Sequence, residues 1–246
     1  MKKVHLLALL AYILAACAPS KTDTPLESAG DNTLSATEIA EGWKLLFDGK
    51  SLNGWTLFKN RANNTWEVAE NTLHCKALNE ATGDGNERAD LRTTEAFANF
   101  ELVFDWKVAA EANSGVMYRV TEEFEQPYYS GPEYQLIDDV GYPGQLTELQ
   151  KTGSNYDMHA APATKPVKPA GSWNTSKIIV NGNHVEHWLN GDKVVDYELQ
   201  SEDWIAKREA SKWKDAPGYG QASAGYIDLQ DHGNEVWFKN IKIKTL

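Results

Sequence analysis

Phe100, Leu102, Phe104, Trp106 and Val108 occupy every second position of one nine-residue run. A strand sends alternate side chains to opposite faces, so five apolar residues in phase define a strand with one face in a core. Shorter runs of the same kind recur at 66–68, 72–75, 90–93, 115–120, 178–180, 185–189, 194–197, 225–231 and 236–243. Turn residues separate them, which is the pattern of a sandwich or barrel. Asn181-Gly182-Asn183 and Asn190-Gly191-Asp192 predict two tight hairpins, because Asn and Gly both tolerate positive φ. Helix is expected once, from Ser201 to Trp213, with Ser201 as N-cap and Glu202 and Asp203 in the first turn. The fold class read from these patterns is all-β, a sandwich with one short helix, and no internal repeat is present.

The N-terminus carries a different signal. Lys2 and Lys3 precede an apolar run over 4–14, then Leu14-Ala15-Ala16-Cys17. That run is too short to span a bilayer and has the form of a secretory signal peptide, 1–16, ending in a lipoprotein processing box. Cys17 is the expected lipidation site. Residues 17–38, rich in Ser, Thr, Pro, Asp and Ala, read as a lipidated flexible tether, and 39–246 as a single domain. Ala18 is not acidic, so the expected address is the cell envelope, anchored in the outer membrane and facing the periplasm. The membrane is thus an expected partner through the lipid alone. With 35 acidic against 24 basic residues and a net charge of −11, nucleic acid is excluded as a partner. Cys75 has no second cysteine once Cys17 is lipidated, and reads as a small buried strand residue. Nine tryptophans and ten tyrosines suit a carbohydrate ligand as well as a core.

Polar residues placed in apolar strands mark the candidate site. In the stretch 131–139, Tyr134 and Leu136 take one face, leaving Glu133 and Gln135 together on the other. A fixed carboxylate beside a fixed amide suits a polyhydroxylated ligand; an ordinary solvated face is the alternative. Along 225–232, Asp228, Gln230 and His232 share a face opposite Ile227 and Leu229. His232 is suited to acid or base work, or caps a turn before Gly233. Arg119 is in phase with Met117 and is expected on the same polar face, or in a surface ion pair. A long irregular region, 140–172, follows; Tyr156 and His159 are candidate contacts within it, and Trp173 and Asn174 could present a ring and an amide just after it.

Leu46-Phe47-Asp48-Gly49, Leu52-Asn53-Gly54-Trp55, Ser114-Gly115-Val116, Glu133-Tyr134-Gln135 with Asp138, Trp173-Asn174, His187-Trp188-Leu189-Asn190-Gly191, Leu229-Gln230-Asp231-His232-Gly233 and Phe238-Lys239-Asn240-Ile241 resemble, in order, the 3-keto-disaccharide hydrolase family. The resemblance implies a concanavalin-like jelly-roll sandwich, a secreted or lipid-anchored location, and cleavage of glycosides oxidised to a ketone at C3. It also brings in Asp138 as a substrate-binding residue and His187, by strand parity inward-facing, as either a buried histidine or a catalytic one. Lys239 stands where the family often carries Arg. A C3 ketone acidifies the C2 hydrogen, so β-elimination followed by hydration gives net hydrolysis, with Glu133 or His232 as base. A 1,2-lyase and a non-catalytic carbohydrate-binding lipoprotein are the alternatives. Glu133, Asp138 and a histidine could also hold a divalent cation, although no ligand spacing specifies one.

Overall fold

The computed structural model describes Met1 and residues 30–62, 64–78 and 88–246. The expected signal peptide, Cys17 and most of the tether lie outside the described residues.

Thirteen strands are present among the described residues. β1 (Lys44–Leu45), β3 (Trp66–Ala69), β4 (Thr72–Cys75), β6 (Phe100–Val108), β9 (Asn174–Asn181), β10 (His184–Leu189), β11 (Asp192–Glu198) and β13 (Val236–Thr245) form an eight-stranded sheet, ordered β11-β10-β9-β6-β13-β4-β3 with β1 also on β13. β2 (Trp55–Leu57), β5 (Leu91–Thr93), β12 (Tyr226–Leu229), β7 (Asn113–Val120) and β8 (Glu133–Ile137) form a five-stranded sheet in the order β2-β5-β12-β7-β8. The described pairings are antiparallel, and the chain crosses repeatedly between the sheets, as in a jelly roll.

The core lies between the two sheets. β6 buries every second residue, as its alternation requires, and each of those side chains contributes roughly 1.5–3 kcal/mol of hydrophobic stabilisation, an upper estimate. Opposite it, the cross-strand row Leu57, Leu91, Leu229, Val116 and Tyr134 supplies the inner face of the small sheet. Phe104 meets Tyr134 edge to face at 5.9 Å. Polar atoms in this layer are paired: Trp106 Nε1 donates to Ser176 Oγ (2.8 Å), Ser176 to Tyr134 Oη (2.9 Å), and Tyr134 to the Trp188 carbonyl (3.1 Å). Both Asn-Gly hairpins form, with positive φ at Gly182, Asn190 and Gly191. Cys75 is buried, and burial pushes its thiol pKa up, so it is inert.

Three readings change. Helix is present twice: α2 (Glu202–Ala210), capped by Ser201 as expected, and α1 (Ala36–Ala40), closed by a Ser35–Glu38 capping box. Residues 30–38, read as tether, are folded onto β13. Asn32 and Asn240 exchange backbone N–H to side-chain oxygen bonds of 2.6 and 2.8 Å, and Lys239 pairs with Asp31 at 2.7 Å. No apolar period advertises this attachment because amides and charges make it. Arg119, finally, leaves the polar face. It adopts φ +54° in a bulge where Tyr226 pairs with Val120 but Asp228 pairs with Met117, and the extra residue breaks strand parity.

His187 is fully buried between the sheets, bonded to Tyr118 Oη (3.0 Å) and the Gly153 carbonyl (3.0 Å). Truncating it leaves a cavity and an unpaired Gly153 carbonyl, and removes one of the two partners of the Tyr118 phenol. His187→Ala is therefore expected to cost about 2–4 kcal/mol in denaturant unfolding; a loss below 0.5 kcal/mol would contradict this packing role.

Candidate active site

The outer face of the five-stranded sheet is built as two polar cross-strand rows. The first runs Thr56, Arg92, Asp228, Met117, Glu133, and the second sets Gln230 and Gln135 on either side of Gly115. These rows alternate with the core-facing row, so one pleat produces both a greasy inner face and a polar outer one. Gly115 makes room at the centre. A Cβ there would collide with Glu133 Oε1, so the carboxyl lies across the glycine.

Walls rise around this floor. Residues 152–156 return alongside β8 through Gln135 N to Ser154 O (3.1 Å), Gly153 N to Gln135 O (2.9 Å) and Tyr156 N to Glu133 O (3.0 Å), which sets the Tyr156 ring beside the carboxyl. The short turn after α2 supplies Lys212 and Trp213. Trp213 Nε1 donates to the Tyr156 carbonyl (3.0 Å), Lys212 N donates to Asp157 Oδ2 (3.0 Å), and the Lys212 ammonium sits 4.1 Å over the Tyr156 ring and 4.3 Å over that of Trp213. Glu133, Gln135, Gln230, His232, Tyr156, Lys212, Asn113, Tyr128 and Trp213 thus enclose a chamber of about 250 Å³. Tyr128, Gln230 and His232 also wall a second hollow of about 380 Å³ lined by Arg61, Arg88, Asp90 and Asp231. On the other side, Asn113, Gln135 and Tyr156 border a third, about 230 Å³, with Tyr142, Gln145 and Gln150. Together the hollows make a continuous polar cleft with Glu133 at its middle.

The electrostatics single out Glu133. It is 4% exposed, and burial pushes its pKa up to about 8, with Lys212 opposing and the charge of Asp90 adding to the rise. The Gln135 amide, turned with Nε2 towards it, donates to Glu133 Oε1 over 3.1 Å and to the Ser114 carbonyl over 3.0 Å. Gln230 Oε1 is buried with no partner among the described residues. Desolvation, then the Arg88 guanidinium, lowers the His232 pKa, so the imidazole is neutral at pH 7. Desolvation against its two rings also lowers the Lys212 pKa, with Glu133 opposing.

Of the residues expected from the sequence, Glu133, Gln135, Gln230, His232 and Tyr156 come together. Arg119 instead donates to the Ala98 and Gly182 carbonyls, 2.8 Å each, at the far end of the sheets. His187 lies in the core, where burial pushes its pKa down to about 3 and leaves it no acid–base role near neutrality. Asp138 accepts the N–H groups of Gly141 (2.9 Å), Glu111 (3.0 Å) and Val140 (3.2 Å); although burial acts against it, these donors hold its pKa low, and it closes a turn. Trp173 is on the large sheet's outer face beneath the Lys239 ammonium, 4.7 Å away. Asn174 ties the loop to Lys168 N (2.9 Å) and Asn190 Nδ2 (2.8 Å). His159 stacks on Tyr197 in the interior at 4.5 Å. Glu133 and Asp138 line different hollows, so they do not come together as a carboxylate pair for a cation. Among the described residues, the group of three metal-capable side chains is His184, Glu186 and Asp196 on the opposite sheet, where Lys193 already bridges the two carboxylates. Lys212, Asn113, Tyr128 and Asp90 were missed: a lysine after a helix and an asparagine at a strand start carry no periodic signal.

The family model of the 3-keto-α-glucoside-1,2-lyase-like domain matches residues 42–244. A 3-keto-disaccharide hydrolase of Bacteroides thetaiotaomicron is 31% identical over 245 residues, spanning 90% of this chain and 84% of that protein. A solved structure from Parabacteroides distasonis, described as a candidate glycosyl hydrolase, is 40% identical with a TM-score of 0.80 over 88% of this chain and 99% of its own. A second from that organism, described likewise, is 26% identical with a TM-score of 0.63, covering 83% and 99%. The carbohydrate-binding module CBM66 of Bacillus subtilis, 14% identical with a TM-score of 0.50 over 78% of this chain and 96% of its own, shares the fold alone. With its sandwich, its polar cleft and a family match over residues 42–244, the chain belongs to the 3-keto-disaccharide hydrolase family and is a glycoside hydrolase-like enzyme.

Proposed function

We propose that the enzyme cleaves glycosides whose sugar carries a ketone at C3, with Glu133 as the base that removes the C2 proton. The observation that carries this reading is that, among the described residues, the chamber is lined by a single carboxyl, with amides, two phenols, an indole, an imidazole and an ammonium as its other polar groups. An ordinary glycosidase places two carboxyls across the sugar ring. Elimination needs only one, held near neutrality, together with donors for the oxygen that gains charge.

Glu133 takes the C2 proton, and the C2–H electrons form an enolate whose charge rests on the C3 oxygen. Lys212 and the amides of Gln135 and Gln230 are the donors for that oxygen. The enolate collapses, the C1–O bond breaks to give a 2-hydroxy-3-keto-glycal, and the Tyr156 hydroxyl, or His232 in its protonated form, gives a proton to the departing oxygen. Water then adds: its hydroxyl goes to C1, its proton restores the group that served the departing oxygen, and Glu133, whose carboxyl proton exchanges with solvent while the leaving group departs, protonates C2, so that one water is consumed overall. The hollows on both sides of the chamber suit the leaving group and any further sugar. A lyase halted at the enone is the second reading, favoured by the 1,2-lyase-like description of the family model. Lipidation at Cys17 would hold the enzyme at the cell envelope, facing the periplasm; it rests on the leader sequence.

Incubation with 3-keto-lactose or 3-keto-trehalose in heavy water is expected to release free sugar carrying one deuterium at C2. A product lighter by one water identifies the lyase, and binding without turnover a lectin. Glu133→Gln, and Gly115→Ala, which takes the space of its carboxyl, are each expected to lower turnover by about 10²–10⁴-fold; full activity in Glu133→Gln removes it as base.

The same carboxyl sets a stability trend. Its folded pKa lies above the unfolded value of 4.5, so between those values the native state holds a proton that the unfolded chain has lost, and stability falls as pH rises. Glu133→Gln is expected to melt higher than the parent at pH 8 and about equally at pH 4. Equal melting temperatures at both would show that the carboxyl is not held protonated.

A further inference from the structure

Asp228 is the buried acid that the reaction leaves unused. It is wholly inaccessible, in the first polar row two strands from Glu133, and neither of its carboxyl oxygens receives a hydrogen bond from a donor among the described residues. A carboxylate cannot persist there. Its near neighbour is Asp90, whose side chain is within hydrogen-bonding reach and which itself accepts the Asp231 N–H at 2.9 Å. Two acids in such contact cannot both ionise, and a proton on one satisfies both.

We propose that Asp90 and Asp228 share a proton as a hydrogen-bonded acid pair beneath the cleft, and that the pair is a positioning device which sets the negative charge behind Glu133. Asp90 opens onto the cleft wall, whereas Asp228 is sealed beneath the floor and acts only through its partner.

The charged surroundings leave the pair in this state. Arg92, next to Asp228 across the strands, is engaged by Glu122 at 2.9 Å and stacks on Tyr226. Arg88 and Asp231 flank Asp90 with opposite charges. His232 and Lys212 face the cleft from the far side, Tyr128 adds a neutral phenol, and Cys75 a neutral thiol from below. Burial raises both members of the pair, and the charge on Asp90 is in turn felt at Glu133. Strand spacing puts the Cα atoms of Asp228 and Glu133 about 10 Å apart, near enough for one charge to matter.

The kinetic part rests on Glu133 being the base; the proton itself can be read without substrate. Infrared spectra of the whole protein with ¹³C-labelled aspartate carboxyls are expected to show the band of an un-ionised acid at pH 7, lost in Asp228→Asn. Its absence at pH 7 in the parent, which needs no variant to fold, overturns the proposal. With 3-keto-lactose, Asp90→Asn is expected to move the acid limb of kcat/KM to lower pH by about one pH unit, since a charge behind the base is removed. Asp228→Asn, which still donates to Asp90, is expected to leave the limb in place. An unmoved limb in a folded Asp90→Asn protein overturns the link to Glu133 and leaves the base reading standing. Stoichiometric uptake of calcium or manganese by the parent and not by Asp228→Asn, in calorimetry, overturns the shared proton and makes the pair a ligand set.

Discussion

The pleat of the five-stranded sheet governs everything else in the molecule. Tyr134 and Glu133 are neighbours in sequence and point to opposite sides of one strand, the first into the aromatic layer against Phe104, the second into the cleft. The same alternation pairs Leu229 with Asp228 and Val116 with Met117. A slip of one residue in any of these strands would bury the acids in the hydrophobic layer and expose Tyr134, Leu229 or Val116 to water, so core and site are fixed by one register.

That arrangement carries a cost. Glu133, Asp228 and Asp90 have little solvent around them, and each would be more stable elsewhere as an anion. The core between the sheets offsets this with its aromatic layer and its chain of satisfied donors from Trp106 and Ser176 of the large sheet to Tyr134 of the small one. A carboxyl in water ionises too readily to be a strong base, whereas one desolvated among amides holds its proton more tightly and is matched to work near pH 7. Burial therefore creates the reactivity that the cleft uses.

The sequence made the strands legible wherever alternation was uninterrupted, as in β6 and at the two Asn-Gly hairpins. Glu133, Gln135, Gln230 and His232 could be placed together because parity held on β8 and β12. It misled at Arg119, where one residue at positive φ inserts a bulge that composition does not announce. Asp138 and His187 were marked by motif, Trp173 and Asn174 by motif and by their place after the long irregular region, and neither signal separates packing or turn closure from chemistry. Lys212 and Tyr128 reach the cleft from segments joined to it only by tertiary contacts, and no local pattern encodes such contacts. The fold at residues 30–38 was hidden for a related reason: reciprocal amide bonds to Asn240 have no periodicity.

The clasp between Asn32 and Asn240 has a geometric consequence. Asn240 also donates to Asp105 Oδ2 at 2.7 Å, on the outer side of the large sheet, so residues 30–32 are held on the back of the body. The Glu133 cleft opens through the front, on the other side of the sandwich. A pull on the described end of that segment would be borne by the back sheet and would reach the Glu133 cleft only across the aromatic layer between the sheets.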